Sequence, residues 1–596
     1  MLIKWIRRWL KPGLIGLMLF YGFLALIGNG VSVQADDTRL VVESTAVVPT
    51  AIGTIAAATP DPRFGAIESF WAPQEAAEIG VGWERILFYW NEVQPKDSDD
   101  WNTLHVLEEW LVEAKAQDRM VLGLLKNTPA WATDGDPFSG VPRGLYLPID
   151  DPDNLWANYV RRVVDYYAPL GVHNWIIWNE PEINKGVYGH EFAGTTEDYY
   201  QLLKVAYLVA KEGDPEAIIH LAGWSYWHDP GFLAEFLEVV TADPEAADNN
   251  YFFDTLSLHI YFRVETVASL VKEVDRIQNE FGLDKPIWIN ETNASPNLDP
   301  LWPVRRPQFQ VDLDQQAWYI VQAYALGFGA GADSIAVYKL IDILLPEGGE
   351  SFGILRPDYS PRPAYRAFDV LVEQLQGFSG DVQTRTFPEY SVTTFDVPTG
   401  TTRILWARED SEVTVQVPAI GKTAVLMDIY GQAEEITPAN DAYQITLEGA
   451  RCDRECDIGG PPLYLIEEEV AHLPYPPVPY SVLAQATVTP MPRPALTFTP
   501  WPTETATPTV TPSPSNTPTL TPSATSTPLP SKTPPPTVLP TLILASTVTA
   551  TDIVPTAVPV QPTAALGNGR FLLLGLGATA AILLGIFFTR RKGGNQ

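Results

Sequence analysis

The sequence predicts an α/β protein: a (β/α)8 barrel, then an antiparallel β-sandwich, a Pro/Thr-rich stalk and a C-terminal membrane helix. Three observations carry this. Between residues 60 and 378, eight short apolar runs alternate with segments at helical spacing. Between 379 and 473 the runs become β-rich and are separated by turn residues. From 474 onward proline and threonine dominate, until residues 571–588 give 18 positions without a charge.

Residues 1–35 read as an export signal. Lys4, Arg7, Arg8 and Lys11 precede an apolar run at 14–27, and Val33-Gln34-Ala35 fits a small-x-small cleavage site, which would leave Asp36 as the first residue. An uncleaved anchor is the alternative, but the apolar run is short against the ~20 residues that a bilayer needs. Residues 36–59 are a linker.

The eight runs of the barrel region are 64–69, 85–89, 120–125, 175–178, 218–222, 255–261, 286–289 and 334–340. They are rich in Ile, Leu and Val without polar alternation, as strands buried on both faces should be. Between them Leu104, Leu107, Leu111 and Ala114 share one helical face. Leu202, Val205, Ala206 and Val209 share another, after a cap at Thr195 or Thr196. Eight such units in ~300 residues suit a closed barrel. An open doubly wound sheet competes, but the GxGxxG fingerprint it would carry is missing after the first strands.

The runs at 392–397, 402–407, 412–417, 424–430, 443–447 and 462–466 predict the sandwich. Cys452 and Cys456, in one loop there, are either a local disulfide or two thiols. As the only cysteines of 596 residues they exclude a disulfide-dense scaffold and a four-thiolate zinc site. Residues 474–569 carry repeats such as Thr507-Pro508-Thr509. They cannot bury enough apolar surface to offset ordering their backbone, so they read as an extended stalk. Residues 570–589 read as a membrane helix, and the tail 590–596 opens with the charges of Arg590, Arg591 and Lys592. Basic flanks at both ends place everything between them outside the cell. The net charge of −33 argues against a nucleic-acid partner, which needs a basic footprint.

Barrel chemistry gathers where strands end at their C-terminal side. The fourth run ends Trp178-Asn179-Glu180-Pro181, the seventh Asn290-Glu291-Thr292 and the sixth His259-Ile260-Tyr261. The second carries Arg85 and closes at Trp90-Asn91. Two carboxyls on separate strands of one barrel can face each other across a cleft. Cleavage of a glycosidic bond needs such a pair: one protonates the leaving oxygen, and the other attacks the anomeric carbon or activates water.

Trp-Asn-Glu-Pro at 178–181 with the strand-end Glu291 resembles the clan A glycoside hydrolases. Thr196-Glu197-Asp198-Tyr199-Tyr200, Lys211 and Asp214-Pro215 resemble the helix after the acid in family 39 and its relatives, so the resemblance is to family 39 or family 5-like enzymes. Phe352-Gly353-Ile354-Leu355 with Pro361 to Tyr365 resembles the end of such barrels, and Pro462-Leu463-Tyr464-Leu465 their appended β domain. The resemblance implies a retaining glycosidase acting on extracellular poly- or oligosaccharide. It implies Glu180 as acid/base and Glu291 as nucleophile. Asn179 would bind a sugar hydroxyl, Arg85 and Tyr261 would orient the nucleophile, and His259 would line the site. The eighth strand departs from the family pattern, ending in Tyr338-Lys339 rather than Trp. Trp90, Trp131 and Trp224 are candidates for stacking on sugar, or else core residues. Two carboxyls suffice, so no metal or cofactor is expected. Glu182 reads as a loop carboxylate, and Glu68, Glu84 and Glu92 as lesser strand-end acids. A non-catalytic surface protein that binds carbohydrate on the same barrel is the alternative.

Overall fold

The computed structural model describes residues 59–468, except 184–189, 306, 308, 344–348 and 453–455, together with 481–482. The predicted signal, linker, most of the stalk, the membrane helix and the tail lie outside the described residues. Among the described residues no helix is long and apolar enough to cross a membrane.

Eight parallel strands form the barrel: β1 (Phe64–Ala66), β2 (Trp83–Tyr89), β3 (Met120–Lys126), β4 (Asn174–Ile177), β5 (Ile218–Leu221), β6 (Leu256–Tyr261), β7 (Ile287–Asn293) and β8 (Ser334–Val337). The ladder runs β5-β4-β3-β2-β1-β8-β7-β6. It closes between β5 and β6 through parallel bridges at His220–Thr255 and Trp224–Leu258, with the Trp224 N–H donating to the Ser257 carbonyl at 3.0 Å. Each strand leads to a helix: α1 (Pro73–Glu78), α2 (Glu108–Ala116), α3 (Leu155–Tyr167), α4 (Thr196–Gly213), α5 (Phe232–Ala242), α6 (Glu265–Glu280), α7 (Leu313–Gly329) and α8 (Pro363–Leu375). Short-chain caps set the starts of the longer ones. Thr195 and Asp198 make a reciprocal capping box on α4, and Asp312 with Gln315 makes another on α7. The helix expected around Leu104 begins only at Glu108. Leu104 points to solvent instead, because the preceding residues form a loop bonded within itself.

The second domain has a six-stranded antiparallel sheet, β14-β13-β16-β11-β10-β9, facing a three-stranded one, β15-β12-β17. Its strands are β9 (Ser379–Thr386), β10 (Tyr390–Val397), β11 (Gly400–Ala407), β12 (Val413–Pro418), β13 (Ala424–Asp428), β14 (Ala433–Ile436), β15 (Ala442–Leu447), β16 (Leu463–Glu468) and β17 (Ser481–Val482). Side chains alternate between two cores. Val392, Leu405, Ala407 and Leu465 pack between the sheets, while Phe395, Ile404, Trp406 and Tyr464 pack onto the barrel. Helix α7, buried on every side from Gln315 to Phe328, lies at this junction. Its Gln322 donates to the Gly460 carbonyl at 2.8 Å and accepts from the Gly459 N–H at 3.0 Å. Cys452 and Cys456 are joined as a disulfide. One boundary is corrected: β17 pairs with β12 inside the segment 474–569 assigned to the stalk, because Ser481 and Val482 complete the edge of the smaller sheet.

Candidate active site

The polar strand ends meet at the C-terminal mouth of the barrel. Strand β4 delivers Glu180 through an unusual backbone. Trp178 and Glu180 hold φ of +73° and +41°, the left-handed region that costs non-glycine residues ~1–3 kcal/mol each. The turn is held by the Trp178 N–H on the Leu125 carbonyl at 2.9 Å and the Glu180 N–H on the Gly223 carbonyl at 3.2 Å. The Trp178 indole N–H donates to the Glu191 carbonyl at 3.0 Å. Strand β7 delivers Glu291 through an irregularity. Leu258 pairs with Ile289 but His259 pairs with Glu291, so the register slips by one residue at Asn290. Such a bulge re-aims a side chain without ending the strand.

His259 stands between the two acids. Its Nδ1 lies 2.8 Å from Glu180 Oε1 and 3.6 Å from Glu291 Oε2. The carboxyl oxygens are therefore separated by no more than the sum of those lengths, just under the ~6.5 Å at which inverting pairs begin. Arg85 reaches from β2 to form an ion pair with Glu291, and the Tyr261 hydroxyl donates to the other oxygen. Gly223 makes room for the imidazole: a Cβ there would fall 1.9 Å from His259 Nε2.

The two acids differ in proton affinity. Burial pushes the Glu180 carboxyl well above its usual range, and the charges of Glu291 and Glu191 add to this against Lys126 and Arg85. Burial would also raise Glu291, but the Arg85 charge, the neighbouring His259 and the bonds from Tyr261 and Arg85 outweigh it and hold the group below its ordinary value. Burial lowers His259, keeping the imidazole neutral. Several polar atoms here are buried without a hydrogen-bond partner among the described residues: Glu180 Oε2, His259 Nε2, Arg85 Nε and Nη1, and both side-chain polar atoms of Asn290. Such orphans concentrate where a ligand is to supply the missing bonds.

The structure thus brings together Glu180, Glu291, Arg85, His259 and Tyr261, with Asn179 buried between the two left-handed residues. The tryptophans divide. Trp90 is corrected to a core residue: it is 0% exposed, stacked on Tyr159 at 4.8 Å, and its N–H goes to Gln94 Oε1. Trp131 stays partly exposed, edge-on to Trp90, its N–H on the Gln94 carbonyl at 2.8 Å. Trp224 is buried in the β5–α5 wall. Glu84 is also structural, buried in a pair with Arg119 at 2.9 Å.

Other groups escaped the sequence reading. Glu182 is no loop carboxylate in water but is 4% exposed. It accepts from the Ser225 N–H at 2.6 Å, and burial with the charge of Glu180 pushes it up to about 8. Lys126, closing β3, pairs with Glu191, and Lys339 pairs with Glu68 at 2.8 Å. The signal for Lys126 was available: it is the one charge in the strand Met120–Lys126. Among the described residues, one further cluster, His173, Asp214 and Glu216, could hold a cation; His173 precedes β4, at the opposite end of the barrel.

Among solved structures the chain is similar to a family 39 glycoside hydrolase from the gut symbiont Bacteroides cellulosilyticus WH2. The identity is 18% and the TM-score 0.52, over 68% of this chain and 81% of that one. The fold is that of the clan A glycoside hydrolases. Weaker likenesses, with TM-scores below one half, are to a family 39 β-xylosidase from Caulobacter crescentus (16% identity, TM-score 0.45, 70% of this chain and 98% of that one) and a family 30 endoxylanase from Clostridium papyrosolvens C71 (11%, 0.47, 68% and 96%). No family model and no curated protein matches the chain.

Proposed function

We propose that this clan A barrel is a retaining glycoside hydrolase acting on extracellular poly- or oligosaccharide. The observation that carries the reading is the pair Glu180 and Glu291, on either side of the His259 Nδ1 with opposite proton affinities. Glu291, charged and oriented by Arg85 and Tyr261, attacks the anomeric carbon. Glu180 passes its proton to the glycosidic oxygen, the leaving sugar departs as an alcohol, and a glycosyl ester remains on Glu291. Glu180, now a carboxylate, takes a proton from water as that water attacks the same carbon, which frees Glu291 and returns the proton to Glu180. A separation under ~6.5 Å supports this double displacement, since an inverting pair needs room for a water between its general base and the anomeric carbon. When the neutral His259 donates its Nδ1–H to Glu180 Oε1, the carboxyl proton sits on Oε2, the oxygen without a protein partner. Asn179 is suited to a sugar hydroxyl beside the nucleophile.

Export and anchoring belong to the same reading and rest on sequence alone: the basic start and apolar run of residues 1–35, and the uncharged stretch before Arg590, Arg591 and Lys592. The barrel would then work outside the cell, held off the membrane by the Pro/Thr segment. The test is Glu180→Gln and Glu291→Gln on a panel of aryl glycosides. Each should lose about 10²–10⁴-fold or more in kcat, and the first sugar released by the wild type should keep its anomeric configuration by NMR. Either variant near wild-type rate would refute the assignment.

A further inference from the structure

The β5–α5 connection exposes more aromatic surface than packing requires. Trp224, Tyr226 and Trp227 form a run of rings leading outward from the barrel wall. Trp224 is buried, with its indole N–H on the Asp229 carbonyl at 3.2 Å. Tyr226 meets it edge-on at 5.4 Å, and Trp227 meets Tyr226 edge-on at 5.1 Å. Trp227 is 61% exposed. A single exposed apolar ring is ordinary on any surface. This one ends a packed series whose base is bonded to the Glu180 loop on two sides: the Gly223 carbonyl accepts from the Glu180 N–H at 3.2 Å, and the Ser225 N–H donates to Glu182 at 2.6 Å. The start of the aromatic run is therefore tied to the loop that carries Glu180.

We infer that Tyr226 and Trp227 form the platform on which the leaving-group sugar stacks, one pyranose ring beyond the bond to be cut. The inference rests on the proposed role of Glu180: the proton donor must touch the oxygen that departs with the leaving group, so that ring lies on the Glu180 flank. Indole and phenol rings offer large rigid surface at little conformational cost, which suits the C–H face of a pyranose. The substrate class is thus an oligosaccharide or polysaccharide with a sugar, rather than a small alcohol, on the leaving side.

The test compares two leaving groups on one sugar. The aryl glycoside cleaved fastest by the full-length chain identifies that sugar. Its glycosyl fluoride, whose leaving group carries no ring, is then compared with its (1→3)- and (1→4)-linked disaccharides. In Trp227→Ala the ratio of kcat/KM, better disaccharide over fluoride, should fall about five- to tenfold, the worth of one aromatic stacking contact. Trp227→Phe should restore most of it. An unchanged ratio, with circular dichroism showing the variant folded, overturns the platform. If the wild type cleaves no glycoside, the hydrolase reading fails separately, and the platform is judged by titrating intrinsic fluorescence with the same disaccharides. A saturable change lost in Trp227→Ala upholds it, and no change, or an equal change in both proteins, overturns it.

Discussion

Replacing Arg85 by methionine tests the electrostatic core of the site. The guanidinium and the Glu291 carboxylate are each only 4% exposed at the side chain, so neither is solvated by water. Removing the cation strands a buried carboxylate, a change that typically costs ~3–5 kcal/mol. With unfolding entropy of ~2.1 cal/mol/K per residue over roughly 400 residues, that is a fall of ~4–6 °C in Tm at neutral pH. The pH dependence gives the argument its sign. In the wild type Glu291 titrates below its ordinary value of 4.5, so its contribution to stability is present above that pH and is lost as the pH falls through the folded value. Without Arg85, burial dominates and the carboxyl titrates above 4.5, so charging it opposes folding. The Tm gap between wild type and Arg85→Met should therefore be widest near pH 7–8 and close as the pH approaches 4. Calorimetric scans across that range measure it, and the acid limb of kcat/KM should move up in parallel. A gap independent of pH would refute the claim that Arg85 is what holds Glu291 ionised.

Other outcomes follow from the same contacts. Glu182 keeps its proton in the folded chain up to about pH 8, while the unfolded chain releases it near 4.5, so folding loses stability across that window. Glu182→Gln should melt higher than wild type by a margin that grows from pH 5 to 8 in circular dichroism, and a constant margin would contradict the burial of the acid. Gly223→Ala drives a methyl toward His259 and should lower kcat on the order of a hundredfold with the fold intact, as measured on aryl glycosides. Asp299, wholly buried, bridges Arg356 at 2.8 Å and Arg362 at 2.9 Å; Asp299→Ala should cost ~3–5 kcal/mol in thermal melts, and a shift under about 1 °C would show the bridge to be dispensable.

The barrel was legible because parallel strands are buried on both faces, and each of the eight strands overlaps a mostly apolar run, in which the few polar residues, such as Arg85, Lys126, His259 and Glu291, stand out. The strands that escaped notice are edges. Ser379–Thr386 is almost entirely polar and exposed, and Ala433–Ile436 is similar, so neither carries hydrophobic periodicity. Ser481–Val482 is two residues long within a proline-rich stretch. The acids at the mouth could be read from their positions at strand ends. Glu182 could not, because its burial depends on Ser225 from the next strand's loop, a contact that no local pattern encodes. Trp90 failed in the opposite direction: it follows a strand end but turns into a cluster with Trp156 and Tyr159. The bulge at Asn290 is equally silent in sequence, yet it sets which β7 side chain faces His259.

Burial by itself does not separate the two acids, since it raises both. What separates them is where the barrel places its cations. Arg85 is committed to Glu291. Of the two cations that act on Glu180, Arg85 is bonded to Glu291 and Lys126 is paired with Glu191, whose negative charge works in the opposite direction on Glu180. The imidazole between the acids hydrogen-bonds Glu180, and while burial pulls it below its ordinary value, whatever positive charge it carries favours the ionised form of Glu291. The asymmetry is thus topological: β2 and β6 supply Arg85 and Tyr261 to the β7 side, while the β3 cation is neutralised by the β4–α4 loop before it can ionise Glu180.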